Sequence, residues 1–367
     1  MAQMTNARFE GAKLSDADKR TAMAHMDTLS VRGLRQPGTV VGRAKGEDLN
    51  VAVSGRGLSV GFKSIEAHEV SSIKGQKGED GYMAVNTDRL KAGDGKVFST
   101  VVLNPDGTID GNIKSIELGP NTLPDGKIGN IFEMTAVDPK TGKLTNRSMR
   151  LSDDLGRPGE GTIGDVRMRN FNPTDISAEG SELQAFDVGA SGVWLASDNK
   201  TVIGNGAKFD AMFVNGRGNG QIQAGYAGFG LDNAMFKREG ETTAWVWGAR
   251  SKGGYAVLNG FKEGQDFSVA YATLKSLEAD KVRAKYKLPP PTYADADDSY
   301  RDNVRAYFNR GPFDQNAEQY DFSGIGRMDG TVKLAGTYNK DDHTFWDSVG
   351  AAYIGRSASA ELDIATA

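Results

Sequence analysis

The chain has 367 residues, 38% of them hydrophobic and 25% charged, with a net charge of −4, 47 glycines and no cysteine. This length exceeds the roughly 250 to 300 residues at which a single core stops growing, so more than one domain is expected. The missing cysteines exclude disulfides and thiolate metal sites, and the mixed charge disfavours nonspecific binding to duplex nucleic acid. There is no apolar run long enough for a membrane span or a secretory signal, so synthesis in a reducing cytosol is expected.

The first predicted element is a helix. Ser15 stands as a cap with Asp18 three residues on, Ala22, Met23, Met26 and Leu29 form an apolar face, and Gly33 is the stop. From Thr39 the texture changes to short apolar or alternating runs: Leu49 to Val53, Leu58 to Phe62, Val97 to Leu103, Ile113 to Leu118 and Ile128 to Val137. Pairs such as Asp106-Gly107, Asp125-Gly126, Asn205-Gly206, Asn215-Gly216, Asn259-Gly260 and Asp329-Gly330 separate such runs and supply positive φ for tight hairpins. Turn signals about every ten residues predict a sandwich or barrel.

The glycine-rich stretch Ser152 to Gly164 marks a domain boundary. Beyond it, Val166 to Phe171, Leu183 to Val188, Val193 to Ala196, Phe209 to Val214, Thr243 to Trp247 and Tyr255 to Phe261 read as strands, and Gly216 to Gly230 as a loop or a series of bends. A second helix is predicted over Ala270 to Lys287, with Tyr271, Leu274 and Leu277 on one face, stopping at Pro289-Pro290-Pro291. A third follows Asp295, Asp297 and Asp298, carries Tyr300, Val304, Tyr307 and Phe308 as its stripe, and ends at Gly311-Pro312. Thr331 to Tyr338 and Ser348 to Ile354 close the chain as strands. The fold class is therefore mainly β: two antiparallel β-rich domains, sandwich- or barrel-like, at 39–160 and 161–268. An N-terminal helical arm precedes them (1–38), a helical insertion follows (269–311), and the terminal strands (312–367) pack on the second domain.

One segment resembles a calcium loop in its donor spacing. Asp106, Thr108, Asp110 and Glu117 supply oxygens, with Gly111 at the bend, and calcium is the sole cofactor the sequence raises. Its flanks read as strands where an EF-hand requires helices, so a plain hairpin at Asn104-Pro105-Asp106-Gly107 is the competing reading. The glycine clusters Gly55-Arg56-Gly57 and Gly216-Arg217-Gly218 lack the spacing of a phosphate loop. The histidines are His25, His68 and His343; no nucleophile elbow accompanies them.

Trp245 and Trp247 stand two apart on a predicted strand, which puts both indoles on one face with Arg250 and Tyr255 nearby. Arg167 and Arg169 have the same period-two relation. Such an aromatic and basic surface suits sugar rings or single-stranded bases.

Three classes of function fit this pattern. The first is a non-enzymatic assembly protein, such as a phage capsid-decorating or tail component of a virion, whose partners are other subunits or further copies of itself. Tyr300, Val304, Tyr307 and Phe308 would form its interface. The second is a β module for glycans or single-stranded nucleic acid using the tryptophan face. The third is a carboxylate-dependent glycoside hydrolase drawing on Asp153, Asp154, Glu160, Glu239 or Glu241.

Overall fold

A computed structural model describes residues 2–5, 8–12, 21–122, 126, 128–137, 142–152, 156–172, 179–197, 200–238, 242–259, 265–287, 319–338 and 350–366. Among these residues there is no helix, and every ladder is antiparallel. β1 (Ala2–Thr5) and β2 (Arg8–Ala12) pair end to end with β3 (Thr21–Gln36), which pairs with β4 (Thr39–Ser54). β4 receives β5 (Gly57–Phe62) and β6 (Ser64–Lys74). Beside β6 lies β7 (Tyr82–Ala92), and beside β5 lies β8 (Ser99–Leu103).

The next line of strands runs through β9 (Ile109–Ile113), β10 (Ile116–Leu118) and β11 (Phe132–Val137). Its neighbour runs back through β12 (Leu144–Leu151), β13 (Gly161–Ile163) and β14 (Asp165–Phe171). Then come β15 (Glu182–Ala190) with β16 (Val193–Ser197), and β17 (Lys200–Asn205) with β18 (Ala207–Arg217). The undivided strands β19 (Gln221–Arg238), β20 (Thr242–Asn259), β21 (Gln265–Lys287), β22 (Gln319–Tyr338) and β23 (Gly350–Thr366) follow, each paired with the one before it. Counted as composite lines, these are the fourteen strands of an up-and-down antiparallel barrel. The β9–β14 and β10–β13 ladders join residues on either side of 160 in one sheet.

The sheet's organising feature is a set of single residues held at positive φ inside strands. Asp48 has φ 51°, Asp187 50° and Gly228 61°, and the ladders skip them without changing register. On β3–β4, Met26↔Leu49 is followed by Thr28↔Glu47, omitting Asp27 and Asp48. On β15–β18, Asp187 and Asp210 are omitted between Phe186↔Ala211 and Val188↔Phe209. Gly228 and Lys252 are omitted between Ala227↔Gly253 and Phe229↔Ser251. A second line passes through Gly33 (φ 64°) and Glu69 (54°), and through Gly206 (65°) and Gly248 (62°).

Left-handed backbone breaks the strict alternation of a strand, so apolar residues resume on the same face after three positions instead of two. The main core cluster carries this signature. Met26, Leu49 and Phe62 are buried together and pack against Ala24, Leu29, Val60 and Ile65, and Met26 and Leu29 lie three apart across Asp27, which the ladder omits opposite Asp48. Leu49 likewise folds over Gly46, where an added Cβ would meet its side chain at 2.7 Å.

This pleat slip explains where the sequence expectations fail. The predicted N-terminal helix is replaced over its described part by β3, where Met26 and Leu29 flank Asp27, omitted from the ladder opposite the left-handed Asp48 of β4. The helix predicted over Ala270 to Lys287 is β21, whose ladder to β22 shifts register at three places, including between Leu274 and Leu277. Period two with slips mimics period 3.6, and ladder bonds on both edges decide for strand. Asn205-Gly206, Asn215-Gly216 and Asp329-Gly330 turn no hairpin: Gly206 kinks the passage from β17 to β18, and the others lie within β18 and β22. The third predicted helix, with Tyr300, Val304, Tyr307 and Phe308, lies outside the described residues, as do Ser15, Asp18, Gly260 and Pro289 to Pro291.

Candidate functional site

Two surfaces of the sheet carry chemistry. The polar one holds the tryptophans: Trp245 and Trp247 are half-buried and line a groove of about 140 Å³ with Ile203, Asn205, Asn233, Ala234 and Met235. The arrangement follows from register, since Ile203 pairs Met235 and Met235 pairs Trp245, while Asn205 pairs Asn233 and Asn233 pairs Trp247. Asn205 Nδ2 donates to Asn233 Oδ1 at 3.0 Å, closing the floor. Arg283 and Lys281 are the partners of the two tryptophans on the β21 side.

The same row extends to Trp194 and Arg150, which the sequence reading passed over. Trp194 pairs Ile203 and Arg150, and the Arg150 guanidinium lies 3.6 Å from the centroid of the Trp194 ring. Burial pulls the Arg150 pKa below its ordinary value, and its Nε has no hydrogen-bond partner among the described residues. Both residues sit on short strands about forty positions apart, and only the ladder brings them together.

The remaining predicted residues fall elsewhere. Arg250 is exposed and donates to the Gly248 carbonyl at 3.3 Å. Tyr255 packs on Phe213 with ring centroids 6.0 Å apart. Arg167 and Arg169 line a different groove, of about 310 Å³, with Gly111, Asn112, Glu182 and Gln184. There Arg167 is committed to Asp165 through Nε and Nη2, at 3.2 and 3.1 Å, and lies 4.8 Å from the Phe186 ring.

The calcium-like segment folds as a hairpin. Asp106 Oδ1 accepts from Thr108 N and Oγ1, Asn104 Nδ2 donates to Thr108 Oγ1 and Asp110 Oδ2, and Asp110 Oδ1 accepts from Asn170 N. The bond from the Thr108 amide, then that from its hydroxyl, lowers the Asp106 pKa. Glu117 is engaged instead by Arg89 and Lys91, at 3.4 and 3.6 Å.

Among the described residues the metal-type group is His25, Asp27 and Asp48, at the first kink line. His25 bonds Asn50 at 2.8 Å and Asp27 at 3.3 Å, and the Lys63 ammonium already stands 2.7 Å from Asp48. His68 bonds Glu66, which also accepts from Arg89. His343 and the nominated carboxylates Asp153, Asp154, Glu239 and Glu241 lie outside the described residues; Glu160 is exposed, its carbonyl accepting from Ser191 N and its amide donating to Ser191 Oγ. The two grooves hold one carboxylate between them, Glu182.

The second surface is apolar. Val85, Phe132, Met149, Leu195, Val202 and Phe236 are successive register partners across six strand lines. Four of them remain exposed in spite of their chemistry: Val85 is 42% exposed, Met149 38%, Leu195 38% and Phe236 47%. By register the row continues through Ala244, Ala284, Phe322 and Ile364. The row therefore leaves large apolar side chains partly in contact with water.

Comparison of the chain with protein-family models, with curated proteins and with solved structures finds no match. No helix among the described residues is long and apolar enough to cross a membrane.

Proposed function

We propose that this protein works without catalysis, by covering the apolar row from Val85 to Phe236 with a partner molecule. The observation that carries this reading is the exposure of Val85, Met149, Leu195 and Phe236 on one register row whose other members, Phe132 and Val202, are half-buried. A folded chain gains about 25 cal/mol for each Å² of apolar surface removed from water, and this row leaves that gain to be realised by something else. An assembly role, in a virion or another complex, is the form the reading takes if the covering molecule is a protein subunit.

The test is binding of the hydrophobic dye ANS. The native protein should enhance ANS fluorescence, and Leu195→Asp should reduce the enhancement while leaving the β circular-dichroism spectrum intact. A folded native protein that leaves ANS dark sinks the reading.

A second reading draws on the opposite surface, where stacked Arg150 and Trp194 continue into the Trp245 and Trp247 groove. Half-buried indoles flanked by amides suit a sugar ring or an unpaired base. Tryptophan fluorescence titrated with oligosaccharides and with single-stranded oligonucleotides tests it; an emission spectrum that no member of either set moves would remove it.

A further inference from the structure

Resting on the second reading, that the tryptophan groove is a working site, we infer that its ligand is an acidic oligosaccharide, one uronic acid carboxylate of which is held by Arg150. The Arg150 side chain is a cation without an anion. Its guanidinium lies 3.6 Å from the centroid of the Trp194 ring, its Nε is buried with no hydrogen-bond partner, and among the described residues no carboxylate is paired with it. Glu133 stands one row away, opposite Ser148, and its carboxylate is taken by the Lys77 ammonium at 2.9 Å. A partly buried charge is costly unless an opposite charge or hydrogen bonds offset it, and an indole face supplies only part of that offset. A ligand carboxylate supplies the rest, because two carboxylate oxygens match the guanidinium fork.

The groove beside Arg150 sets the remainder of the ligand. Trp194 pairs with Ile203, which lines the groove together with Trp245 and Trp247. From Trp194 through Ile203 and Met235 to Trp245 the register crosses successive strands. At about 4.8 Å per strand that row is about 14 Å long, which accommodates several rings in place of one. Between the indoles Asn205 donates to Asn233, which leaves the Asn205 oxygen as an acceptor and the Asn233 nitrogen as a donor. A sugar hydroxyl uses both kinds of group.

A second cation stands on the same face. Lys237 lies two residues beyond Met235 on β19, is exposed, and is paired with no carboxylate among the described residues. Two unengaged cations about 14 Å apart across the strands suit a chain that carries a carboxylate on some of its rings. A nucleic-acid strand carries a charge on every nucleotide and calls for a basic groove along its whole length, so it is the weaker fit.

The experiment follows tryptophan emission of the full chain during titration with trimers of galacturonic, mannuronic and glucuronic acid, with the methyl esters of the same trimers, and with oligothymidylate. At least one acidic trimer should bind saturably and about tenfold or more tighter than its ester, the worth of one charge-assisted pair. Arg150→Met, which fills the space without charge, should bind acid and ester alike and keep the circular-dichroism spectrum. The comparison of acid with ester on the native protein stands even where that variant misfolds.

Equal binding of acid and ester by the native protein overturns the inference and leaves a sugar groove, as does an acid preference that folded Arg150→Met retains. Emission that only oligothymidylate moves also overturns it and assigns the groove to unpaired bases. If no ligand moves the emission, the inference and the groove reading beneath it both fall.

Discussion

Tyr226 and Phe229, three residues apart on β19, meet edge to face with ring centroids 6.2 Å apart and planes at 76°. In a regular strand residues at i and i+3 point to opposite faces. Here Gly228, at φ 61°, resets the alternation between them. Phe209 completes the cluster, 5.5 Å from Tyr226 and 5.0 Å from Phe229, and the Tyr226 hydroxyl donates to Ser251 at 3.1 Å. The kink therefore keeps one face of the sheet apolar on both sides of the break.

Gly228→Ala should destabilise the protein by about 1–3 kcal/mol, because the left-handed conformation strains any side chain. An added Cβ would also fall on the Asp210 carboxylate. Adding Asp210→Ala to Gly228→Ala relieves the clash and leaves the strain, so the double variant should recover only part of the loss. Urea unfolding of the four proteins checks this; full additivity would count against the contact.

Asp187 holds φ 50° without being glycine. Aspartate tolerates this region better than most residues, and β-branched side chains tolerate it worst. Asp187→Val should cost about 2 kcal/mol or more, whereas Asp187→Gly, trading strain against chain entropy, should stay within about 0.5 kcal/mol. Thermal or urea melts of the pair decide it.

Removing the guanidinium from Arg150 should cost about 1–2 kcal/mol, the worth of a partly desolvated cation over an indole. Arg150→Ala should also shift tryptophan emission, since the ring 3.6 Å away loses its cover. Arg150→Met, which refills the space without charge, separates packing from cation–π attraction: equal stability of the Met variant and the native protein would remove the electrostatic part.

Glu66 gives a pH prediction. Burial pushes its pKa up, but the hydrogen bonds and charges of Arg89 and then His68 outweigh burial and leave it below the ordinary 4.5. A depressed carboxylate contributes stability that is present above its unfolded pKa and lost as pH falls through the folded one. Stability should therefore decline on acidification below about pH 4.5, and Glu66→Gln should flatten that part of the curve. An unchanged slope in the variant would assign the decline to other carboxylates.

The Asp106 hairpin offers a ligand-removal test. Asp106 and Asp110 are engaged by Thr108, Asn104 and Asn170, and Glu117 by Arg89 and Lys91. The expected melting midpoint is the same with calcium and with chelator. A midpoint raised by calcium would mean that the native state binds the ion, since only ligands of the folded form stabilise it.

The predominance of strand was legible in the sequence, as were the hairpin at Asn104 to Gly107 and the shared face of Trp245 and Trp247. Each depends on neighbours within a few positions: a turn residue with positive φ, or side chains two apart on a pleat. The tertiary structure alone decided the phase of that pleat. Whether Gly206 turns a hairpin or kinks a strand, and whether Met26 and Leu29 mark a helix or two halves of a slipped strand, depends on which residues lie opposite. Those partners are fixed by pairing between separate segments, so the row from Val85 to Phe236 and the stacking of Arg150 on Trp194 exist only once the ladders have formed. Local spacing carries no record of that distant register, because a period of two interrupted by left-handed residues and a period of 3.6 place apolar side chains at the same intervals.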